Sequence, residues 1–356
     1  MDVERATVEV YEQRAREWRD RRPPRLRARA RALAADTGPG AISADLGCGA
    51  GLHLPALGRP VVALDAAWAM VDLVRDTAPD AWPVQGDLEA LPFRRSALGS
   101  AWARASYLHL RRTRLPAALA DLHRALVVGA PAHLTMRAGD TDGELADDDF
   151  PGRFFAGWRP DALCDVLVGA GFAVTECAHD PEESSWIHVR VRRSHTLADT
   201  VGSNMRLLVC GLNPSVYAAD AGVGFARPGN RFWPAARAAG LVSRDRDPSH
   251  ALTHHRIGMT DLVKRPTARA DELTRDEYRE GAARVERMVR WLRPGAVCFV
   301  GLAGWRAAID RHAQAGVQTD GFGGTPAYVM PSTSGLNARV PLAELADHLR
   351  AAAALA

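Results

Sequence analysis

Asn213 stands in GLNPS (211–215), directly after the apolar strand pattern LLVCG (207–211), and Pro214 stiffens the turn that holds it. A side-chain amide can accept a hydrogen bond from a water and donate one to another group, but it takes up no proton at neutral pH. The carboxyl edge of a strand is where open α/β sheets place their ligands. Further along, Phe225 lies in the glycine-punctuated run AGVGFARPG, where a flat ring could cover another flat ring or simply fill a core. VMPSTSGLNAR (329–339) begins as a buried strand and ends in small polar residues around one leucine, Leu336. It follows a later strand of the same series, so its loop should emerge at the same end of the sheet as Asn213.

A second constellation lies earlier. ADLGCGAG (44–51) ends a strand in glycines at alternate positions, Gly47, Gly49 and Gly51. Without Cβ atoms the backbone there can turn sharply and approach a ligand. Asp65 ends the next strand pattern, placed to accept from two neighbouring sugar hydroxyls. Asp87, in QGDLEALPF, closes the third, placed to accept from an exocyclic amine of adenine. Each acid taken singly reads as a cap or turn residue. Asp45, Asp65 and Asp87 at successive strand ends read together as a site for an adenosine-bearing ligand.

These residues need elements to position them. AISADLG (41–47), VVALDAA (61–67), WPVQGD (82–87), GSAWARA (99–105) and AHLTMRA (132–138) read as short buried strands, with helical patterns such as LPAALADLHRAL (115–126) between them. RLLVCG (206–211), IGMTDLV (257–263), AVCFVG (296–301) and AYVMP (327–331) repeat the pattern, with helices around 277–292 and 341–353. Such alternation implies parallel sheets covered by helices on both faces. The fold class is α/β, in two α/β domains: residues 1–193, a polar linker at 194–204, and residues 205–356.

Composition agrees with two cores, since 47% of the 356 residues are hydrophobic. No apolar run approaches the roughly 20 residues that span a bilayer. The charged, helix-patterned N-terminus has no apolar signal region. A cytoplasmic protein with no membrane partner is therefore expected. Cys48, Cys164, Cys177, Cys210 and Cys298 are scattered, which argues against disulfides, zinc knuckles and iron–sulfur clusters. His254 and His255 are adjacent and cannot share one face, so no metal is expected there. Residues 1–202 carry a net charge of −3 and residues 203–356 a net +6, and the positive half is compatible with a phosphate backbone.

GLNPS, GFARPGNRFW, GMTDLVKRPT (258–267) and MPSTSGLNAR together resemble the mismatch-specific uracil/thymine-DNA glycosylases, a branch of the uracil-DNA glycosylase superfamily. The resemblance covers residues 205–352 and implies a uracil-DNA glycosylase-like α/β/α fold acting on double-stranded DNA with G·U or G·T mismatches. It implies that Asn213 orients a water toward C1′ of the deoxyribose. It also implies that Phe225 stacks on the flipped pyrimidine and that main-chain groups of Leu212 and Phe225 read its edge, the two forming the base pocket. By the same resemblance, Leu336 is an apolar wedge filling the place of an extruded base, with Ser334, Gly335, Asn337, Ala338 and Arg339 near the orphaned guanine. Lys264 lies in a motif shared with monofunctional relatives, which implies simple hydrolysis and no cofactor for this domain.

YEQRAREW, DLGCGAG, Asp65, GDLEALPF and ALADLHRAL resemble the class I S-adenosylmethionine-dependent methyltransferases over residues 8–192. This implies a Rossmann-like fold with S-adenosylmethionine held by Asp45 and Gly47, Gly49 and Gly51 at its methionine end, Asp65 at the ribose and Asp87 at the adenine. The segment after the fourth strand, SAWARASYLHL, offers Arg104, Ser106, Tyr107 and His109 but none of the motifs of nucleic-acid amino-methyltransferases, so the acceptor is undefined. A silent cofactor- or partner-binding first domain, and a mismatch-binding protein that cleaves nothing, are the alternatives. Intact Asn213 in its glycine–proline setting weighs against the second.

Overall fold

The computed structural model describes residues 3–23, 25–337 and 339–356. The chain divides into two compact units: Met1–Val168 with Phe172–Ser194, and Gly169–Gly171 with His195–Ala356.

The first unit holds β1 (Ser43–Leu46), β2 (Val61–Asp65), β3 (Trp82–Gln85), β4 (Ser100–Arg104), β5 (Pro131–Ala138), β6 (Asp142–Gly143), β7 (Phe155–Trp158), β8 (Phe172–His179) and β9 (Trp186–Arg193). The first five lie parallel in the order β3-β2-β1-β4-β5, and β9 runs antiparallel beside β5 with β8 outside it. All four residues of β1 are buried, as expected of a central strand covered on both faces. Short β6 and β7 form a ribbon at the far end of β5.

The second unit holds β10 (Leu207–Gly211), β11 (Ile257–Asp261), β12 (Ala296–Val300), β13 (Gly316–Phe322) and β14 (Thr325–Met330). Their order is β11-β10-β12-β14-β13, parallel except for β13 at the edge. Successive side chains of a strand point to opposite faces, and two cores follow from that alternation. Leu208, Cys210, Val297, Phe299, Ala327 and Val329 face the amphipathic helix Arg275–Leu292. Leu207, Val209, Cys298, Tyr328 and Met330 face Phe232 and Trp233 on one helix and Leu345 and Leu349 on another. The result is an α/β/α layering.

Residues 194–204, expected to be a linker, are different in the structure, because His195–Asn204 packs within the second unit. Thr200 and Met259 exchange backbone hydrogen bonds of 2.8 Å. Asp199 is 3% exposed and accepts from Thr260 Oγ1 at 2.7 Å, Lys264 Nζ at 2.8 Å and Arg284 Nη1 at 2.8 Å. Burial pushes its carboxyl up, but Arg284 and Lys264 outweigh burial and hold it below the usual carboxylate range. A polar stretch thus looked solvated because its charge partners lie far along the chain.

Removing one partner of a buried pair strands the others. Asp199→Ala should therefore destabilise the second unit by about 3–5 kcal/mol, read from its urea unfolding transition. A loss below about 1 kcal/mol would mean that water already reaches the cluster.

Candidate functional site

Parallel β10, β11, β12 and β14 deliver their following loops to one rim, and the second site is built there. Asn213 lies just past β10. Its Nδ2 donates to the Arg265 carbonyl at 2.9 Å and to Thr267 Oγ1 at 2.8 Å. A carbonyl can only accept, so the NH₂ end of the amide must face it, and Oδ1 is turned to the other side. Among the described residues no donor reaches that oxygen. The Pro214 carbonyl receives the Thr267 N–H at 3.2 Å, which ties the GLNPS and KRPT loops together.

Phe225 has φ +58°, a left-handed conformation uncommon for a bulky residue and typical of functional loops. One face of its ring lies on buried Phe232, with centroids 4.2 Å apart and planes at 23°. The ring edge reaches back to Gly211, where a Cβ would stand 3.3 Å from Phe225 Cζ. Phe225 and Asn213 are thereby brought to the same strand end. The Leu212 side chain packs toward Gly304 and into the core, which leaves its main chain at the rim. Its carbonyl already accepts the Val263 N–H at 2.9 Å.

Leu336 is 91% exposed at the corner of a turn closed by Asn337 N–H to the Ser334 carbonyl at 2.9 Å. The turn is braced. Asn337 Nδ2 donates to the Ser332 carbonyl at 2.9 Å, and Ser334 Oγ accepts the Leu336 N–H at 3.3 Å. A Cβ on Gly335 would come 3.0 Å from the Gly229 carbonyl oxygen, so its small size serves loop packing. Arg339 is exposed and pairs with no described residue, while Ala338 lies outside the described residues.

Three residues that sequence reasoning did not single out hold this rim together. Asn230 Oδ1 accepts from the Phe232 N–H at 2.9 Å and from Thr333 Oγ1 at 3.0 Å. The Arg231 guanidinium donates to the Asn337 and Val340 carbonyls. GNRFW thus clamps the Phe225 loop to the Leu336 turn. Asp261 ends β11 opposite Gly211, and burial, opposed by Lys264, pushes its carboxyl up to about 6. A Cβ on Gly211 would collide with that carboxyl, so Asp261 and the Phe225 ring meet over the same glycine. Its signal in the sequence was a strand-ending acid in register with a strand-ending glycine.

The first unit has its own rim, above which lies a cavity of about 1720 Å³. Asp45, Gly47, Gly49, Asp65 and Asp87 all line it, whereas Gly51 does not. Gly51 is instead a packing residue, since a Cβ there would press on Leu54 and Val74. At Gly47 a Cβ would collide with Ser106, and at Gly49 it would stand 3.0 Å from the Trp18 ring. Asp65 accepts from the Gly49 N–H at 2.9 Å and the Ala67 N–H at 3.0 Å, so it shapes the glycine loop and keeps further lone pairs. Asp87 is exposed and spends one oxygen on the Glu89 N–H at 2.9 Å. Asp45 is 1% exposed, its Oδ2 has no hydrogen-bond partner, and burial, assisted by the Asp65 charge, pushes it up to about 8.

A chain of polar contacts lies in the cavity wall. Tyr11 donates its O–H to His109 Nε2 at 2.9 Å and accepts from Arg153 Nη1 at 2.9 Å. The other His109 nitrogen donates to the Phe154 carbonyl at 2.6 Å, and burial pushes this imidazole down to about 4. His109 is therefore a neutral acceptor.

Two α/β units, each with acids or amides gathered at its strand ends, define a pair of enzyme-type folds. Residues 198–354 match the model of the uracil DNA glycosylase superfamily, and residues 44–131 match a methyltransferase domain model. The chain thus carries a glycosylase-superfamily domain behind a methyltransferase domain, both of them enzyme families. Among solved structures it is similar to a TehB-like SAM-dependent methyltransferase from Corynebacterium glutamicum, with 22% identity, 53% of this chain and 100% of that one covered, and a TM-score of 0.41. It is also similar to the 1,6-didemethyltoxoflavin-N1-methyltransferase of Burkholderia thailandensis, with 18% identity, 54% and 87% covered, and a TM-score of 0.43. No helix among the described residues is long and apolar enough to cross a membrane.

The raised Asp45 carboxyl has a signed consequence. Folding favours its protonated form, so its contribution to stability is complete below about pH 4 and is lost as pH rises through about 8. Between those limits the loss grows by about 1.4 kcal/mol per pH unit. Asp45→Asn should match the wild-type melting temperature only near about pH 3.5 and exceed it by a growing margin up to about pH 8.5. A constant difference across that range would show that Asp45 is solvated.

Proposed function

We propose that the second unit is a monofunctional DNA glycosylase that hydrolyses the N-glycosidic bond of uracil, and more slowly thymine or an exocyclic cytosine adduct, opposite guanine. The observation that carries this reading is the enforced orientation of the Asn213 amide at the rim shared by Phe225 and the Leu336 turn. Oδ1 accepts from a water and aims it at C1′ of an extruded nucleotide. Because an amide is a poor base, the bond to the base breaks largely before the water attacks. The rate then depends on how well backbone N–H groups stabilise the departing base anion, and uracil leaves more easily than thymine. The exposed part of the Phe225 ring stacks on the pyrimidine, on a platform stiffened by Phe232. Leu336 enters the vacated stack, offsetting an unstacking cost of a few kcal/mol. Lys264, ion-paired with Asp199 at 2.8 Å and 11% exposed, is poorly placed for a Schiff base, which supports hydrolysis without strand cleavage.

For the first unit, we infer S-adenosylmethionine-dependent methyl transfer. The cofactor fits the residues present: the unpartnered Asp45 oxygen suits its ammonium group, Asp65 its ribose hydroxyls and the outer Asp87 oxygen its adenine amine. When bound, it supplies a methyl group on a cationic sulfur. The chain's own part is to hold that group at the glycine loop, in a cavity whose wall includes the hydrogen-bonded Tyr11, His109 and Arg153.

A duplex with one U·G pair, treated with protein and then hot alkali, should be cut at the uracil. Asn213→Ala should lower the rate by about 10²-fold or more, and uncut duplex with wild-type protein would leave a binder that cleaves nothing. Leu336→Ala should slow duplex cleavage about tenfold and single-strand cleavage far less; equal losses would remove the wedge role. Calorimetry should detect S-adenosylmethionine binding that Asp65→Ala weakens at least about tenfold, and no binding by the wild type would remove the cofactor assignment.

A further inference from the structure

Asp45, Asp65 and Asp87 take up the β1, β2 and β3 side of the first unit's cavity. The β4, β5 and β9 side is left, and its charges are arranged differently. Arg104 pairs in register with Thr135 of β5, and Arg137 lies two residues further along that strand. In a parallel pair, registered residues share a face, as do residues two apart on one strand. Arg104 and Arg137 therefore rise on the same face of neighbouring strands, their Cα atoms roughly 8 Å apart.

Other arginines of the cavity wall have counter-ions. Arg22 donates to Asp149 at 2.6 Å, Arg153 is held by Asp148, and Arg114 meets Glu89 at 2.5 Å. Arg104 and Arg137 have no salt bridge or side-chain hydrogen bond with any described residue. The Arg104 Nε is buried without an acceptor, and burial together with nearby Arg25 and Arg22 pushes its pKa down, with Asp45 and Glu183 opposing more weakly and from beyond hydrogen-bond reach. Beside it Ser106, 6% exposed and lining the cavity, has a buried Oγ with no partner. A buried donor left unpaired is costly, and a guanidinium is suited to planar oxyanions that accept two parallel hydrogen bonds. The cofactor brings a single carboxylate, and its ammonium group is drawn to Asp45.

Resting on the methyltransferase reading, we propose that the methyl acceptor of this cavity is a small molecule bearing a carboxylate or phosphate, held by Arg104, Arg137 and the Ser106 hydroxyl. The anion fixes the acceptor against the floor formed by β4 and β5, so that its nucleophilic atom is presented toward the glycine loop. Neutral acceptors of the same shape leave two cations without a partner and are rejected.

The test uses the full chain saturated with S-adenosylhomocysteine, titrated calorimetrically with two matched pairs: benzoate with benzamide, and phenyl phosphate with phenol. One anion should bind at least about tenfold more tightly than its neutral partner, and which pair shows the margin separates carboxylate from phosphate. Arg137→Gln should abolish the margin while leaving S-adenosylhomocysteine affinity within about twofold, and Arg137→Lys should keep part of it. Equal binding within both pairs, no binding of either anion, or a margin that survives both Arg137→Gln and Arg104→Gln overturns the proposal. Should S-adenosylhomocysteine itself fail to bind wild-type protein, the methyltransferase reading falls first, before any probe is added.

Discussion

The hydrogen bond from the Asn213 side chain to the Arg265 carbonyl decides which end of the amide looks outward, and the water-orienting role proposed for it rests on that. Were the amide reversed, two acceptors would face each other and a donor would face the cleft. The carbonyl is itself held in place from behind. Next along the chain, Lys264 is anchored to Asp199, and Arg284 donates to both Asp199 and the Asp261 carbonyl at 2.8 Å. A buried ion cluster thus sets the height of a loop, and the loop sets the direction of one side chain. Similar reasoning applies across the rim, where Asn230 and Arg231 hold the Phe225 loop against the Leu336 turn, so the two keep a common frame.

The first unit depends on the opposite condition. Its central acid, Asp45, keeps an Oδ2 with no hydrogen-bond partner among the described residues, while neighbouring Asp65 is satisfied by the backbone it shapes. One acid builds the loop and the other leaves an oxygen unpaired. The same division holds among the basic residues, with Arg22, Arg114 and Arg153 tied to acids, while Arg104 and Arg137 form no salt bridge among the described residues.

Much of this was legible in the sequence. The buried parallel strands were, because apolar runs that end in glycine or aspartate mark both the strand and its working edge. Thus β1 to β5, β10 to β12 and β14 lie where the pattern put them, and the residues named at their ends gather at two rims. The antiparallel β9 and β13 were not read. In β13 the alternation is weak and polar, because one side of an edge strand faces water; in β9 it is clear, as WIHVRVRR, but lay beyond the regular strand–helix series. Asp199 escaped notice because its partners are 65 and 85 residues away, and charge pairing at that distance leaves no local pattern. Gly51 was over-read, since alternate glycines look equivalent in sequence while only two of the three face the cavity.

Lys264 carries one more implication. It is the only lysine in 356 residues, and its ammonium group is held in the Asp199 cluster. Acylating agents, aldehydes and enzymes that tag ε-amino groups therefore find almost no side chain to attack while the second unit is folded. Attachment at that position would report the opening of the cluster.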